Sequence, residues 1–191
     1  MKIIKIKIVF AILLFTIVSA SGLAQTRYFS KTGKITFYSR SPMENIEAIN
    51  NKVVSIWDVS TGQIEFSVLM KGFEFEKALM QEHFNENYVE SDKFPKAIFK
   101  GALENSSALD LTIDRALTVK VNGNLTLHGV TRPVSSMAVI TVKNKAMAAA
   151  TSFTIILADY KISIPALVAD KVNKKITISV NVPDYQLVTK K

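Results

Sequence analysis

The stretch that decides the fold is Asn122–Val134, NGNLTLHGVTRPV. Leu125 and Leu127 alternate with Asn124, Thr126 and His128, the period-2 pattern of a strand with one buried face. Gly129 frees the backbone for a corner, Val130 and Thr131 cross it, and Pro133 is confined to an edge or to the opening of a strand. A second strand follows, with Val134, Ser136, Ala138, Ile140 and Val142 on one side. Upstream, Asn122-Gly123-Asn124 reads as a further turn, entered from Leu117.

Short strand-like segments with turn signals between them recur on both sides of this hairpin, without an internal repeat or linker. Lys34–Ser39 alternates with Ile35 and Phe37 on one face, and Ser41–Asn50 reads as a loop or helical turn. Val53–Val59 is strand-like and ends in the turn Asp58–Gly62. Gln63–Met70 alternates cleanly, with Ile64, Phe66, Val68 and Met70 on one side. The period then breaks. Phe73, Lys77 and Met80 against Phe75, Leu79 and His83 predict a short amphipathic helix over Phe73–Phe84. Ile98–Leu103 is a strand, and Ala108–Arg115 adds a little more. Ala146–Leu157 carries Phe153, Ile155 and Leu157 on one face, and Lys175–Val182 closes the chain with Ile176, Ile178, Val180 and Val182 facing one way. About eight strands and one short helix predict an all-β, antiparallel up-and-down barrel, whose closure removes open edges. Such a barrel has room for filling side chains or for one small ligand, and pattern alone does not separate the two.

The first residues fall outside this scheme. Lys2, Lys5 and Lys7, then the apolar Ile8–Val18, then small residues to Ala24, predict a signal peptide over residues 1–24 and a domain over 25–191. The expectation is export by the Sec route to the periplasm or beyond. The apolar run falls short of the ~20 residues that span a bilayer. With no cysteine, neither a lipid anchor nor a disulfide is expected, so the domain must be held by its core alone. Setting the three leader lysines aside lowers the net charge from +8 to +5, and the excess is scattered. That argues against nucleic acid and leaves room for a transient contact with a membrane surface.

Chemistry finds little to use. His83 and His128 are the only histidines, too few and in the wrong spacing for a zinc site. There is no serine elbow and no glycine-rich phosphate loop. The expectation is a protein that is not an enzyme and has no metal or cofactor. His128 beside the Gly129 corner is expected to fix that corner by hydrogen bonding, or else to touch a ligand head group at the barrel mouth. His83 is expected at the end of the helix, where positive charge suits the dipole. Phe73, Phe75, Phe84, Tyr88, Phe94 and Phe99 form an aromatic cluster that could plug one end of the barrel or form a lid over a tunnel.

The string Gly123-Asn124-Leu125-Thr126-Leu127-His128-Gly129-Val130-Thr131-Arg132-Pro133-Val134 resembles the signature of the YceI-like family. His83-Phe84-Asn85, Tyr88 and Ser91–Gly101 match it as well, and the resemblance runs from about Tyr28 onward. It implies a lipocalin-like barrel that holds a polyisoprenoid chain, here a quinone or polyprenol as cargo rather than cofactor, in a monomer or homodimer. On that basis the tunnel walls are expected to be Phe37, Phe66, Val68, Leu79, Phe84, Phe99, Leu125, Leu127, Phe153, Ile155, Ile178 and Val180. A slip of one residue in register would exchange a whole strand's set. The competing expectation is an exported interaction module with a packed core that docks a membrane redox or envelope protein. A connected apolar void separates the two. A lipid-modifying enzyme would in addition need a titratable group inside the barrel.

Overall fold

The computed structural model describes residues 26–188, so the expected signal peptide lies outside the described residues. Ten strands follow in order: β1 (Arg27–Arg40), β2 (Asn45–Asp58), β3 (Gln63–Leu69), β4 (Glu74–Phe75), β5 (Lys96–Leu103), β6 (Arg115–Leu127), β7 (Val130–Lys143), β8 (Ala146–Ile156), β9 (Lys175–Val182) and β10 (Gln186–Leu187). A single short helix, α1 (Ala78–His83), runs into a π-helical turn over Phe84–Tyr88. All ladders are antiparallel. The order β1-β9-β8-β7-β6-β5-β3-β2 closes through β1–β2, giving a closed eight-stranded barrel, with β4 added to β2 and β10 to β1. The expected all-β, lipocalin-like barrel with one short helix is the observed fold.

The β6–β7 corner is a two-residue turn. Leu127 pairs with Val130, and His128 and Gly129 between them have φ of +51° and +71°, the left-handed pair that suits a tight hairpin. A β-carbon on Gly129 would also lie 2.5 Å from the ring of Phe94, so both conformation and space demand glycine. Pro133 pairs with Asn124 on β6, while the β7–β8 ladder covers only Ala138–Lys143. The proline therefore occupies an edge, where its missing N–H costs no ladder bond.

Four expectations need correction. Asn122-Gly123-Asn124 is not a turn but the middle of β6, with Gly123 directly opposite Gly101 of β5. A β-carbon at Gly123 would sit 2.6 Å from the Phe99 ring, and one at Gly101 would sit 2.7 Å from it. The two glycines are there so that this ring can lie along the wall. Ser41–Asn50 is mostly strand. Only the turn around Ser41 is loop, closed by a hydrogen bond from the Ser41 amide to the Glu44 carbonyl, and β2 begins at Asn45. Pairing with β1 overrides the weak strand preference of its asparagines. Ala108–Arg115 is a loop entered by a 3₁₀ turn, and β6 starts only at Arg115. The helix is shorter than Phe73–Phe84, because Glu74–Phe75 is extended and pairs with β2.

The two ends of the barrel differ. At one end lie the β2–β3 turn, the 104–114 loop and Tyr185. At the other lie the β1–β2 turn, α1, the β6–β7 corner and the long 157–174 connection. The core runs the length of the interior. Trp57, Val53, Ile140 and Val182 are among its fully buried side chains.

Candidate functional site

The interior is not filled. A cavity of about 290 Å³ runs inside the barrel, and all eight barrel strands contribute to its wall. Eleven of the twelve expected wall residues line it. β1 brings Phe37, β3 brings Phe66 and Val68, β5 brings Phe99, and β6 brings Leu125 and Leu127. β8 adds Phe153 and Ile155, β9 adds Ile178 and Val180, and the π-turn adds Phe84. The inward faces of the strands are mainly apolar, so period-2 alternation carries each set to the cavity together.

Leu79 is the exception. It is 60% exposed and absent from the wall. The helix starts at Ala78 rather than at Phe73, which rotates its inward face onto Met80, His83, Phe84 and Tyr88. The wider π-helical turn lets Phe84 and Tyr88, four residues apart, both reach inward.

Phe37 is the hub of the aromatic cluster, with ring centroids 5.3 Å from Phe73, 5.7 Å from Phe75 and 5.4 Å from Phe84. Phe84 in turn lies 5.0 Å from Phe75. All four line the cavity, so the cluster forms both a stopper under α1 and part of the wall. Phe94 takes no part. Its ring packs edge-on against His128, 4.7 Å away.

His128 is not a cavity residue. Its Nδ1 lies 3.1 Å from the Tyr160 carbonyl and its Nε2 lies 2.6 Å from the Glu90 carboxylate. A carbonyl on one side and a carboxylate on the other are both satisfied when each ring nitrogen carries a hydrogen. The His128 hydrogen bond holds the Glu90 carboxyl below its ordinary range. The ring thus ties the β6–β7 corner to the segment after the π-turn and to the 157–174 connection. Both ring nitrogens are engaged by the protein.

Polar groups in the wall are few, and most of them are hydrogen-bonded or ion-paired within the protein. Near the closed end, Tyr185 hydrogen-bonds Ser55 at 2.7 Å, and burial pushes its phenol up to about 12. Midway, Thr151 donates to Ser136 at 3.0 Å. At the other end Ser39 accepts the Asn173 amide, and Glu44 pairs with Lys77 at 3.0 Å, which raises the Lys77 ammonium above its ordinary value. His83 and Lys171 line this same end, and among the described residues neither makes a hydrogen bond or an ion pair through its side chain. Burial also raises the phenol of Tyr88. Such a wall can hold an apolar chain along its length and meet a polar group at the mouth.

Ile46, Ala149 and the 157–174 connection (Ile162, Val168, Val172) also line the cavity and were not among the expected walls. Ile46 alternates with Ala48 and Asn50 inside the stretch taken for a loop. Ala149 is small and carries no signal of its own.

A family model described as YceI-like domain matches residues 22–183. Among solved structures, the chain is similar to a polyisoprenoid binding domain from Saccharophagus degradans implicated in plant cell wall breakdown. The TM-score is 0.75 at 12% identity, covering 86% of this chain and 99% of that one. It is also similar to Burkholderia cenocepacia BcnA, with a TM-score of 0.65 at 13% identity, covering 82% of this chain and 96% of that one. The YCEI protein of Campylobacter jejuni aligns at a TM-score of 0.50 and 14% identity, over 73% and 81% of the two chains. A search of curated proteins finds no match.

Proposed function

The chain belongs to the YceI-like domain family, and on that premise we propose that it is an exported protein that carries or stores a polyisoprenoid, or a similar long apolar chain, inside its barrel. The cavity is the observation that carries this reading. It is enclosed by Ile, Val, Leu, Phe and Met from every barrel strand, and its polar groups are mostly satisfied by the protein itself. Binding is driven by removing apolar ligand surface from water, about 25 cal/mol per Å² before ordering costs. Specificity for chain over head group follows, because the wall offers contact along its length and few free polar partners.

A docking module with a packed core fits this interior poorly, since a packed core leaves no connected void. Catalysis has little support either. Of the two histidines, His83 reaches the cavity only at its mouth and His128 not at all. The named neighbour from Saccharophagus degradans is a polyisoprenoid binding domain, which supports the same ligand class here. Export, toward the periplasm, rests on the basic and apolar leader at residues 1–24.

Native mass spectrometry of the protein purified from its own envelope, followed by organic extraction, tests the reading. The expected result is a bound isoprenoid quinone or polyprenol mass. A protein that is empty, and that takes up neither compound from detergent, would overturn it.

A further inference from the structure

An apolar cargo has to reach the cavity, and the mouth carries an unusual surface for a water-facing loop. Residues 164–169 read Ile-Pro-Ala-Leu-Val-Ala. Pro165, Ala166, Leu167 and Ala169 are all exposed, and Leu167 is 90% exposed at the tip of a 3₁₀ turn over Ala166–Val168. The next side chain, Val168, lines the cavity. One short turn therefore presents apolar surface outward and continues it into the barrel.

Two neighbouring segments do the same. The β1–β2 turn exposes Met43 at 66%, and it is tied to the loop by the Ser41 hydroxyl donating to the Lys171 carbonyl at 3.0 Å. The start of α1 exposes Leu79 at 60%, beside cavity-lining Met80, and is tied to the same turn by Lys77 and Glu44. Three exposed apolar tips thus lie on segments bonded to one another, each next to residues that line the cavity. The charge beside Leu167 is positive, whereas Glu44 adjoins Met43 and Glu76 and Glu82 flank Leu79. Over residues 161–174, Lys161, Lys171 and Lys174 face a single acid, Asp170.

We propose that this rim docks on a phospholipid bilayer containing anionic lipid, with Leu167, Met43 and Leu79 entering the interface while the lysines meet the head groups. The inference rests on the carriage reading for its purpose, since the bilayer is the source or the destination of the cargo. Continuity of the exposed turn with the cavity wall favours a bilayer over another protein. A chain could then slide between membrane and barrel without crossing water.

Flotation with vesicles of phosphatidylglycerol and phosphatidylethanolamine tests it, using the full protein. The wild type is expected to float, less so as salt rises. Leu167→Asp should lower the bound fraction about tenfold, whereas Ile113→Asp, at a side chain 55% exposed on the loop at the far end of the barrel, should float as the wild type does. Leu167→Asp should still take up quinone from detergent, which shows that its barrel is intact. A wild type that does not float, or a Leu167→Asp variant that floats unchanged, overturns the proposal. So does a Leu167-dependent dimer in sedimentation with no vesicle binding, which would assign the rim to a second copy. If no cargo is ever found but flotation still depends on Leu167, docking stands and carriage falls.

Discussion

The two ends of the barrel use the same apolar residue types for opposite purposes. At the closed end, Trp57 is 1% exposed, with its ring 6.2 Å from Tyr28 and 6.1 Å from Tyr185. Tyr185 is hydrogen-bonded to a Ser55 that is itself buried. At the mouth, Met43, Leu79 and Leu167 stand in water. Burial at the first end contributes stability. Exposure at the second contributes nothing to stability in water. The lesson is that residue type alone does not decide whether an apolar side chain is buried in the fold or left at the surface.

That contrast predicts a gradient of effects. Trp57→Ala should be the most damaging, about 3–5 kcal/mol by denaturant melt, because it opens a large void where the barrel is sealed. Tyr185 sets a second test, at high pH. Its folded phenol titrates near 12 against 10.0 for the unfolded chain. The raised value means that stability is intact below pH 10 and is lost as pH rises toward 12. Relative to Tyr185→Phe, the wild type should lose about 2–3 kcal/mol across that window, read from urea midpoints at pH 9 and pH 12. At mid-barrel, Gly123→Ala should cost about 1–3 kcal/mol, since its β-carbon would meet the Phe99 ring and the β5 backbone. At the mouth, Leu79→Ser should change the melting midpoint by less than about 0.5 kcal/mol. A large loss there would mean that the helix face seals the barrel after all and that the contrast between the ends is false.

Much of this was legible in the sequence, and the exceptions share a cause. Strand alternation placed Phe66 with Val68, Leu125 with Leu127, and Ile178 with Val180 on inward faces, because a strand buried on one side has little freedom in which side chains it turns in. Gly123 misled because a glycine flanked by asparagines signals a turn locally, while its real partner, the Phe99 ring, lies on a neighbouring strand. Asn45–Asn50 misled in the same way, its strand being made by pairing with β1 rather than by its own propensity. Leu79 failed on phase. A helix that begins five residues later than expected presents a different face, and nothing local marked Glu74–Phe75 as extended. His128 was legible as a corner residue, but its partners Glu90 and Tyr160 lie 38 and 32 residues away in sequence. Long-range contacts were the missing information throughout.

Filling the void without disturbing its shell separates carriage from packing. Ala149 on β8 lines the cavity opposite Val182 and Ile140. Ala149→Phe should leave the barrel folded, with a melting temperature close to that of the wild type, while occupying space the cargo needs. Wild type and variant are loaded with polyprenol or quinone from detergent and weighed intact by native mass spectrometry. Carriage in the barrel predicts a bound lipid mass on the wild type and its near-complete loss from folded Ala149→Phe. Equal loading of the two would contradict it and would move the ligand to the outside of the barrel.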